Sequence, residues 1–406
     1  MQNSKNKINT KSRSKHAKWS VFLLLLIIIF SMLTLSACDE KKNPGPSGTR
    51  PTTNGLLPGQ LEPGERDHVA FILESSITSD YGKNAYQGLQ LISAANAETR
   101  YVENVTVSAA YGIAEQLIKA GYNVIFFDSP VFDDIASDIA KNNPNVMFFV
   151  TDGNNTGNNL VNISFREEEQ SFLLGAVSAL LTPEDSVGLI AKYPEDRQTI
   201  LSEAFEAGAR FVNPTAVVRS FVLDPEQNDA SIQTDQLIDM YNPSILAVMA
   251  GSASESAMSS ARKAGLRVIS AETGIKLLSP VTEPTEPAET VTDDETVTTT
   301  TTTLPAPTTT TTVPWSPGAT RSTVNEDDPN LYDPATIKVL LKRAEAYLYA
   351  YELFRSGDLP ADTIFCGIKE GLITVQDYAT DIGEDQITSI EYIVDTIAQG
   401  DVSIPR

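Results

Sequence analysis

Short apolar runs alternate along the chain with segments in which apolar positions recur every three to four residues. The helical period predicts amphipathic helices over 81–97, 111–120, 133–141, 167–181, 197–209, 228–240 and 253–264. The runs between them have strand length and lie at 68–73, 123–127, 146–151, 187–191, 216–222, 244–250 and 266–270. Strands and helices that alternate in this way form parallel sheets with helices on both faces. So many units favour an α/β protein with two doubly wound lobes over a single lobe.

A composition break interrupts this pattern. Residues 280–323 are mostly Thr, Pro and acidic residues, and they lack the apolar side chains that would offset the entropy cost of ordering them. We predict a disordered insertion there, and an O-glycosylated, stalk-like loop is the functional alternative. Beyond it, the pattern predicts a helix from Asp333 to Phe354, two short strands within 363–375 and a closing helix over 384–399.

The N-terminus predicts the compartment. A basic stretch over 1–20 precedes an apolar run from Val21 to Leu35, which is shorter than a membrane-spanning helix requires. The Leu-Ser-Ala tripeptide before Cys38 resembles a bacterial lipobox. We therefore expect a signal peptide over 1–37, acylation of Cys38, attachment to the outer face of the cell membrane and a flexible tether over 38–66. An uncleaved anchor with an incidental cysteine is the alternative.

Charge and composition exclude several functions. The chain has 53 acidic and 30 basic residues, a formal net charge of -23, which argues against a nucleic-acid partner. Two cysteines exclude a disulfide scaffold, and two histidines leave little for a metal centre or a Ser-His pair. We therefore expect no cofactor, no metal and no enzyme activity. Cys366, in an apolar run, is predicted to be a buried core residue.

Candidate binding residues follow the predicted strands. Ligands of doubly wound sheets bind beyond the carboxyl ends of the strands, so two lobes that present these loops to each other would form a ligand cleft. Most of the polar groups there are hydrogen-bond acceptors, which suits a solute with several donors, such as sugar hydroxyls or a base amine. The candidates are Ser75, Ser76, Asp128, Ser129, Asp152, Gly251 and Glu272.

Four segments, in order, resemble the basic membrane protein family of substrate-binding lipoproteins, the nucleoside receptors of certain ABC importers. They lie at 165–175, 205–214, 367–371 and 397–405. The resemblance implies a type I periplasmic-binding-protein fold, a hinge, a nucleoside in the cleft, an ABC permease as partner and a monomer. We assign 67–155 and 324–358 to the N-terminal lobe, and 156–279 and 359–406 to the C-terminal lobe.

The resemblance also implies roles for individual residues. Tyr81 matches an aromatic residue that stacks on the base, and Asp152 matches an acid directed at the ligand. Glu272 matches an Asp that would hold ribose hydroxyls, Gly251 the glycine of the family's A-G-x-T-G loop and Lys342 the lysine of its S-x-x-K segment. Each position also has a structural alternative: a turn for Asp152, an exposed loop for Glu272, a helix cap for Tyr81 and a solvated helix charge for Lys342.

The sequence departs from the family pattern near the base. The segment 77–82 lacks the family's paired acids and Asn, and the second stacking aromatic falls at Val222, with Phe221 one place away and therefore on the opposite face of a strand. A purine clamped between two rings is therefore in doubt. A solute receptor for an ABC importer is the leading prediction, and a ligand-sensing or interaction lipoprotein of the same fold without a transport role is the alternative.

Overall fold

The computed structural model describes residues 52, 55–182, 184–273, 336–378 and 381–406. The predicted signal peptide, Cys38 and the predicted insertion over 280–323 lie outside the described residues. Within the described part, twelve strands are present: β1 His68–Ile72, β2 Glu98–Val102, β3 Val124–Phe127, β4 Met147–Thr151, β5 Leu160–Phe165, β6 Ser186–Ala191, β7 Val217–Val222, β8 Ile245–Met249, β9 Arg267–Thr273, β10 Thr336–Leu341, β11 Thr363–Cys366 and β12 Ile373–Gln376.

The helices of the described residues fall between the strands. They are α1 Asp80–Ala94, α2 Val107–Lys119, α3 Asp133–Asn142, α4 Glu167–Leu181, α5 Gln198–Val212, α6 Ser231–Tyr241, α7 Ser254–Lys263, α8 Arg343–Ser356 and α9 Glu384–Ala398. Two 3₁₀ turns, Pro130–Phe132 and Gly251–Ala253, precede α3 and α7. Every helix predicted before residue 270 is present, with boundaries that shift by a few residues.

The strands form two sheets with one topology. The first has the order β11-β5-β4-β3-β1-β2 and the second has the order β12-β10-β9-β8-β6-β7. All neighbouring strands are parallel except β10 and β12, which are antiparallel. In each sheet the chain order reverses once, between β1 and β3 in the first and between β6 and β8 in the second. Such a switch point is where doubly wound sheets bind ligands, and the predicted two-lobe α/β fold class is confirmed.

The cores explain why the strand sequences are so apolar. Helices cover both faces of each sheet, so the central strands are buried and lack polar alternation. Aromatic rings dominate the first lobe, where Phe126 and Phe149 stack with ring centroids 4.5 Å apart, and Tyr347 of α8 packs against Phe71. Burial of each such ring contributes about 1.5–3 kcal/mol. Cys366 is fully buried in the same core, as predicted.

The chain crosses between the lobes three times. It crosses after β5 at Arg166, after β10 at Lys342, and between β11 and β12 over 367–372. Backbone hydrogen bonds join the crossings: Arg166 N donates to Cys366 O (3.1 Å), and Lys342 N donates to Leu372 O (2.8 Å). The three connecting segments are therefore bonded to one another and form one hinge.

These crossings correct the predicted lobe boundaries. β5 belongs to the first sheet, so the N-terminal lobe continues to Phe165 and does not end at 155. β10, within 324–358, was predicted in the N-terminal lobe but belongs to the second sheet. β11, within 359–406, was predicted in the C-terminal lobe but belongs to the first sheet. The two short strands predicted within 363–375 exist, but each lies in a different sheet.

The helix predicted from Asp333 to Phe354 is wrong in its first part. Ile337, Val339 and Leu341 are fully buried and alternate with less buried residues, which is the period of a strand. The helix begins only at Arg343. The favourable position of Pro334 for a helix start concealed this alternation.

The last part of the predicted tether is ordered on the first lobe. Leu57 is buried in the main core, and the Gln60 amide donates to Arg355 O (2.9 Å) at the end of α8. The Asn123 amide donates to Gly59 O (2.7 Å). Residues 55–66 are therefore part of the folded lobe, because Leu57 supplies apolar surface that the Pro- and Gly-rich composition did not suggest.

Candidate functional site

Four predicted residues lie together at the switch point of the first lobe: Ser75, Ser76, Asp128 and Ser129. The side chains of three of them hydrogen-bond to the protein itself. Ser76 Oγ donates to the Glu103 carboxylate (3.0 Å), which also accepts from Ile77 N (2.8 Å). Ser129 Oγ accepts from Val131 N (3.4 Å) at the start of the 3₁₀ turn. Ser75 lies in the same loop and is half-buried. The serines therefore shape this rim more than they offer donors to a solute.

Asp128 stands at the centre of that switch point. It follows β3 directly, and its Oδ1 accepts from Glu74 N (2.9 Å) in the loop after β1. Burial raises the pKa of the Asp128 carboxyl to about 7, and the Glu74 N–H opposes that rise. The carboxyl thus joins the two loops and changes its protonation state near neutral pH.

Asp152 occupies a strained turn at the end of β4. Its φ is +51°, a left-handed conformation that Asp tolerates better than most residues. Asp152 Oδ1 accepts from Phe165 N (3.0 Å). The residue after Asp152 is also held, because Asn162 Oδ1 accepts from Gly153 N (2.8 Å). Burial raises the pKa of Asp152 to about 6, and the Arg343 guanidinium opposes that rise.

The switch point of the second lobe brings in a residue that sequence reasoning missed. Lys192 follows β6, and its Nζ donates to Ser252 Oγ (2.7 Å) and to Gln227 O (3.2 Å). Ser252 follows Gly251, whose φ is +52°. The Lys192 ammonium therefore lies where the topology predicts ligand contacts. Its position directly after an apolar strand was the available signal.

Gly251 lies where the two lobes face each other. A Cβ built on Gly251 would lie 3.8 Å from Asp80 Oδ2, which belongs to α1 of the first lobe, and 4.0 Å from Lys192 Nζ of the second lobe. The opposite charges of Asp80 and Lys192 therefore lie near the same glycine, one from each lobe. The predicted position of Gly251 at the ligand loop remains a prediction, and the structure adds the facing pair.

Tyr81 meets a buried arginine. The tyrosine is 58% exposed, and the Arg343 Cζ lies 5.3 Å from the centroid of its ring. The Arg343 side chain is buried, stacks at 4.1 Å on the Phe165 ring and forms an ion pair with Glu167. Arg343 thus covers one face of the ring that was predicted to stack on a base. The sequence analysis named Lys342 as a site residue but not its neighbour Arg343.

Glu272 and Lys342 have protein partners. Glu272 Oε1 lies 3.5 Å from Lys338 Nζ and accepts from Ser270 Oγ (3.3 Å). Lys342 Nζ donates to Gly371 O (3.3 Å), which links two crossings of the hinge. Both residues lie at carboxyl ends of strands of the second sheet.

The three glutamates that begin α4 connect the hinge segments. Glu167 pairs with Arg343, Glu168 with Arg197 (3.1 Å), and Glu169 with Arg166 (3.2 Å) while it accepts from Ile368 N (2.9 Å). Each of the three crossings therefore contributes a partner. This network is structural, and it also holds Arg343 against the rings of Tyr81 and Phe165.

The described residues contain no group of three or more His, Cys, Asp or Glu placed to hold a metal ion. Over the same part of the chain, no helix has the length and apolarity to cross a membrane.

A family described as ABC transporter substrate-binding protein PnrA-like (Bmp) matches residues 67–282, more than half of the chain. The chain belongs to this family. The predicted membership of the basic membrane protein family is thereby confirmed.

Individual Bmp relatives are distant. The ABC transporter nucleoside-binding protein BmpA of Lactococcus lactis is 25% identical over 206 residues, which cover 48% of this chain and 54% of that protein. Basic membrane protein A1 of Borrelia garinii is 20% identical over 205 residues, which cover 49% and 56%. The chain thus spans about half the length of the curated relatives it matches.

Solved structures support the fold alone. An ABC transporter solute-binding protein from Conexibacter woesei has a TM-score of 0.57 at 13% identity, over 84% of this chain and 98% of that chain. A transcriptional activator of the comK gene from Bacillus halodurans has a TM-score of 0.59 at 15% identity, over 84% and 100%.

Proposed function

We propose that this protein binds a small polar solute, of the nucleoside class, in the cleft between its two lobes and delivers it to an ABC permease. The observation that carries the proposal is the arrangement of Asp128 and Asp152 at the strand ends of the first lobe, with Lys192 and Gly251 at those of the second. The Lactococcus lactis relative is named a nucleoside-binding protein, which supports the solute class.

Attachment to the membrane is part of the proposal. The lipobox-like tripeptide before Cys38 supports acylation of that cysteine and a position on the extracytoplasmic face. A receptor held beside its permease needs no membrane-spanning helix of its own. Mass spectrometry of the membrane-extracted protein tests this step: a diacylglyceryl group on an N-terminal Cys38 is expected, and an intact N-terminus with an unmodified Cys38 would contradict it.

Binding without catalysis is also proposed. The strand-end side chains include acids and a lysine, but the one thiol of the described residues is buried in the core, and burial raises its pKa strongly. The ion pairs at the hinge connect the lobes, and we propose no catalytic role for them.

A sensor without a transport role is the second candidate. It is favoured by one relative, named transcriptional activator protein med of Bacillus subtilis, which is 23% identical over 210 residues covering 51% of this chain and 59% of that protein. Deletion of the gene separates the two: reduced nucleoside uptake supports delivery to a permease, and unchanged uptake with a lost nucleoside response supports sensing.

Calorimetric titration of the purified protein with a nucleoside panel tests the solute class. We expect saturable binding that weakens by about tenfold or more in Asp152→Asn, because a neutral amide is a poorer acceptor than a carboxylate. Asp138→Asn is the matched control, since Asp138 is an exposed residue of α3. Absence of heat and of thermal stabilisation with every nucleoside would reject the solute class.

A further inference from the structure

Asp80 and Lys192 carry opposite charges and belong to different lobes. Asp80 is the first residue of α1 in the first lobe, and Lys192 directly follows β6 in the second. A Cβ built on Gly251 would lie 3.8 Å from Asp80 Oδ2 and 4.0 Å from Lys192 Nζ. The carboxylate oxygen and the ammonium nitrogen are therefore no further apart than the sum of these two distances, although they do not yet form one of the ion pairs found among the described residues.

Each of the two groups has bonding capacity left. Lys192 Nζ donates to Ser252 Oγ (2.7 Å) and to Gln227 O (3.2 Å), which uses two of the three N–H donors of an ammonium group. The Asp80 carboxylate is exposed and makes no hydrogen bond or ion pair within the described part of the chain. A donor of the second lobe and an acceptor of the first thus lie near each other with no other partner.

Gly251 leaves room for the two side chains. A Cβ at this position would lie 3.5 Å from Lys192 Cε as well as close to both charged atoms, so a larger residue would occupy the space that they share. The hydrogen bond from Lys192 to Ser252, the next residue in the chain, fixes the ammonium group beside the glycine. The second lobe therefore holds its charge in place, and the approach of the first lobe would complete the pair.

Asp80 also has a structural alternative. An acid in the first turn of a helix interacts favourably with the helix dipole, and that role needs no partner in the second lobe. The dipole does not account for a lysine of the other lobe near the carboxylate. The attraction between the two charges grows as the lobes approach each other, and this dependence separates the two roles by experiment.

We propose that Asp80 and Lys192 form an inter-lobe ion pair when the lobes close, and that this pair is an electrostatic latch on the closed state. A solute held between the lobes binds the closed state, so the latch raises the apparent affinity by increasing the population of that state. Neither residue needs to touch the solute. The effect on affinity rests on the proposed function, whereas the effect on closure exists without a solute.

Distance measurements by electron paramagnetic resonance test the latch in the unliganded protein. Nitroxide labels are placed on cysteines introduced at Val131, in the 3₁₀ turn after β3, and at Glu226, in the loop after β7, both of which are exposed. Cys38→Ser removes the other reactive thiol, since Cys366 is buried. The two labels lie on the strand-end rims of different lobes, so the distance between them falls when the lobes close.

Charge reversal and rescue give the decisive comparison. Asp80→Lys should shift the label distances to longer values, because two ammonium groups repel each other. Lys192→Asp added to the same protein restores opposite charges and should reverse the shift. An absent shift, or a shift that remains in the double variant, would overturn the latch. Thermal unfolding confirms that each variant is folded.

Calorimetric titration with inosine tests the effect on affinity. Inosine is uncharged, so a dependence of its affinity on salt reports charges of the protein. We expect the affinity to fall about two- to fivefold between about 0.02 M and 0.5 M NaCl, as for a partly exposed ion pair. Asp80→Asn should weaken binding by a similar factor at low salt and remove most of the salt dependence.

Asp138→Asn is the matched control, because Asp138 is an exposed acid of α3, and it should leave both the affinity and its salt dependence unchanged. An unaltered salt dependence in Asp80→Asn would overturn the latch and leave the proposed function standing. Absence of inosine binding would count against the proposed solute class, and the label distances would then decide the latch by themselves.

Discussion

Asp128 shows how one residue links the fold to pH. Its carboxyl is fixed between the loops after β1 and β3, and burial raises the pKa to about 7 from an ordinary value of 3.8. Between these two pH values the folded protein binds a proton that the unfolded chain has released. The free energy of unfolding therefore falls as the pH rises through this window.

We predict that Asp128→Asn removes this loss. The variant keeps an oxygen that can accept from Glu74 N, so near pH 4 its stability should match that of the parent protein. At pH 8, where the parent carries a buried charge, the variant should be more stable by about 2 kcal/mol. Urea unfolding at both pH values measures the difference, and Asp138→Asn is the exposed control. An equal effect of Asp128→Asn at pH 4 and pH 8 would contradict the account.

Sequence reasoning identified the acids of the site better than the bases. Asp128, Asp152 and Glu272 were predicted because they follow strands, and the structure places each at a carboxyl end. Lys192 satisfies the same rule, but a lysine after a strand is also typical of a solvated surface charge, so its position alone does not single it out. Arg343 could not be predicted from its neighbours, since its place depends on Phe165 and Glu167, which are far away in the sequence.

The helix pair α4 and α5 explains two of the sequence segments that carry the family resemblance. A Cβ on Gly175 would lie 2.1 Å from Phe205 O, and a Cβ on Gly208 would lie 1.9 Å from Phe172 O. The backbones of the two helices therefore touch at these glycines. Gly175 and Gly208, in the segments at 165–175 and 205–214, therefore record helix packing in the second lobe.

We predict that Gly208→Ala destabilises the protein by about 3 kcal/mol, because backbone atoms cannot move aside as a flexible side chain can. Gly112→Ala is the matched control: Gly112 lies in α2, and a Cβ there would meet nothing within 4 Å. That control should gain up to about 1 kcal/mol from its better helix propensity. Thermal or urea unfolding measures both, and similar stabilities for the two variants would refute the packing argument.

The sequence predicts strands correctly where a continuous apolar run is the main feature of the segment. The apolar runs of β1, β3, β4 and β8 are buried on both faces, so composition alone identified them. β2 was missed, because its residues are only partly buried, and β5 was missed because it follows a loop rich in Asn and Gly. The segment of β10 has a short strand-like alternation next to a proline that is well placed for a helix start, and the prediction of a helix there is wrong.

At the scale of the whole molecule, the residues of the hinge and those of the candidate site belong to one network of contacts. Glu167, Glu168 and Glu169 bind partners from all three crossings. Arg343 belongs to this network and also packs against the rings of Tyr81 and Phe165. The sequence predicted two lobes and several crossings, but the order in which strands enter each sheet depends on long-range pairing that local patterns do not encode.

Amide hydrogen exchange with and without inosine tests the central claim most directly, because it reports which segments a solute covers. A solute bound between the lobes should slow exchange in loops of both lobes, at 74–79, 128–132 and 152–155 in the first and at 192–197 and 250–254 in the second. The exposed helix α2 should be unchanged and serves as the internal control. Protection confined to one lobe, or absent from these loops while inosine binds, would contradict a cleft between the two lobes.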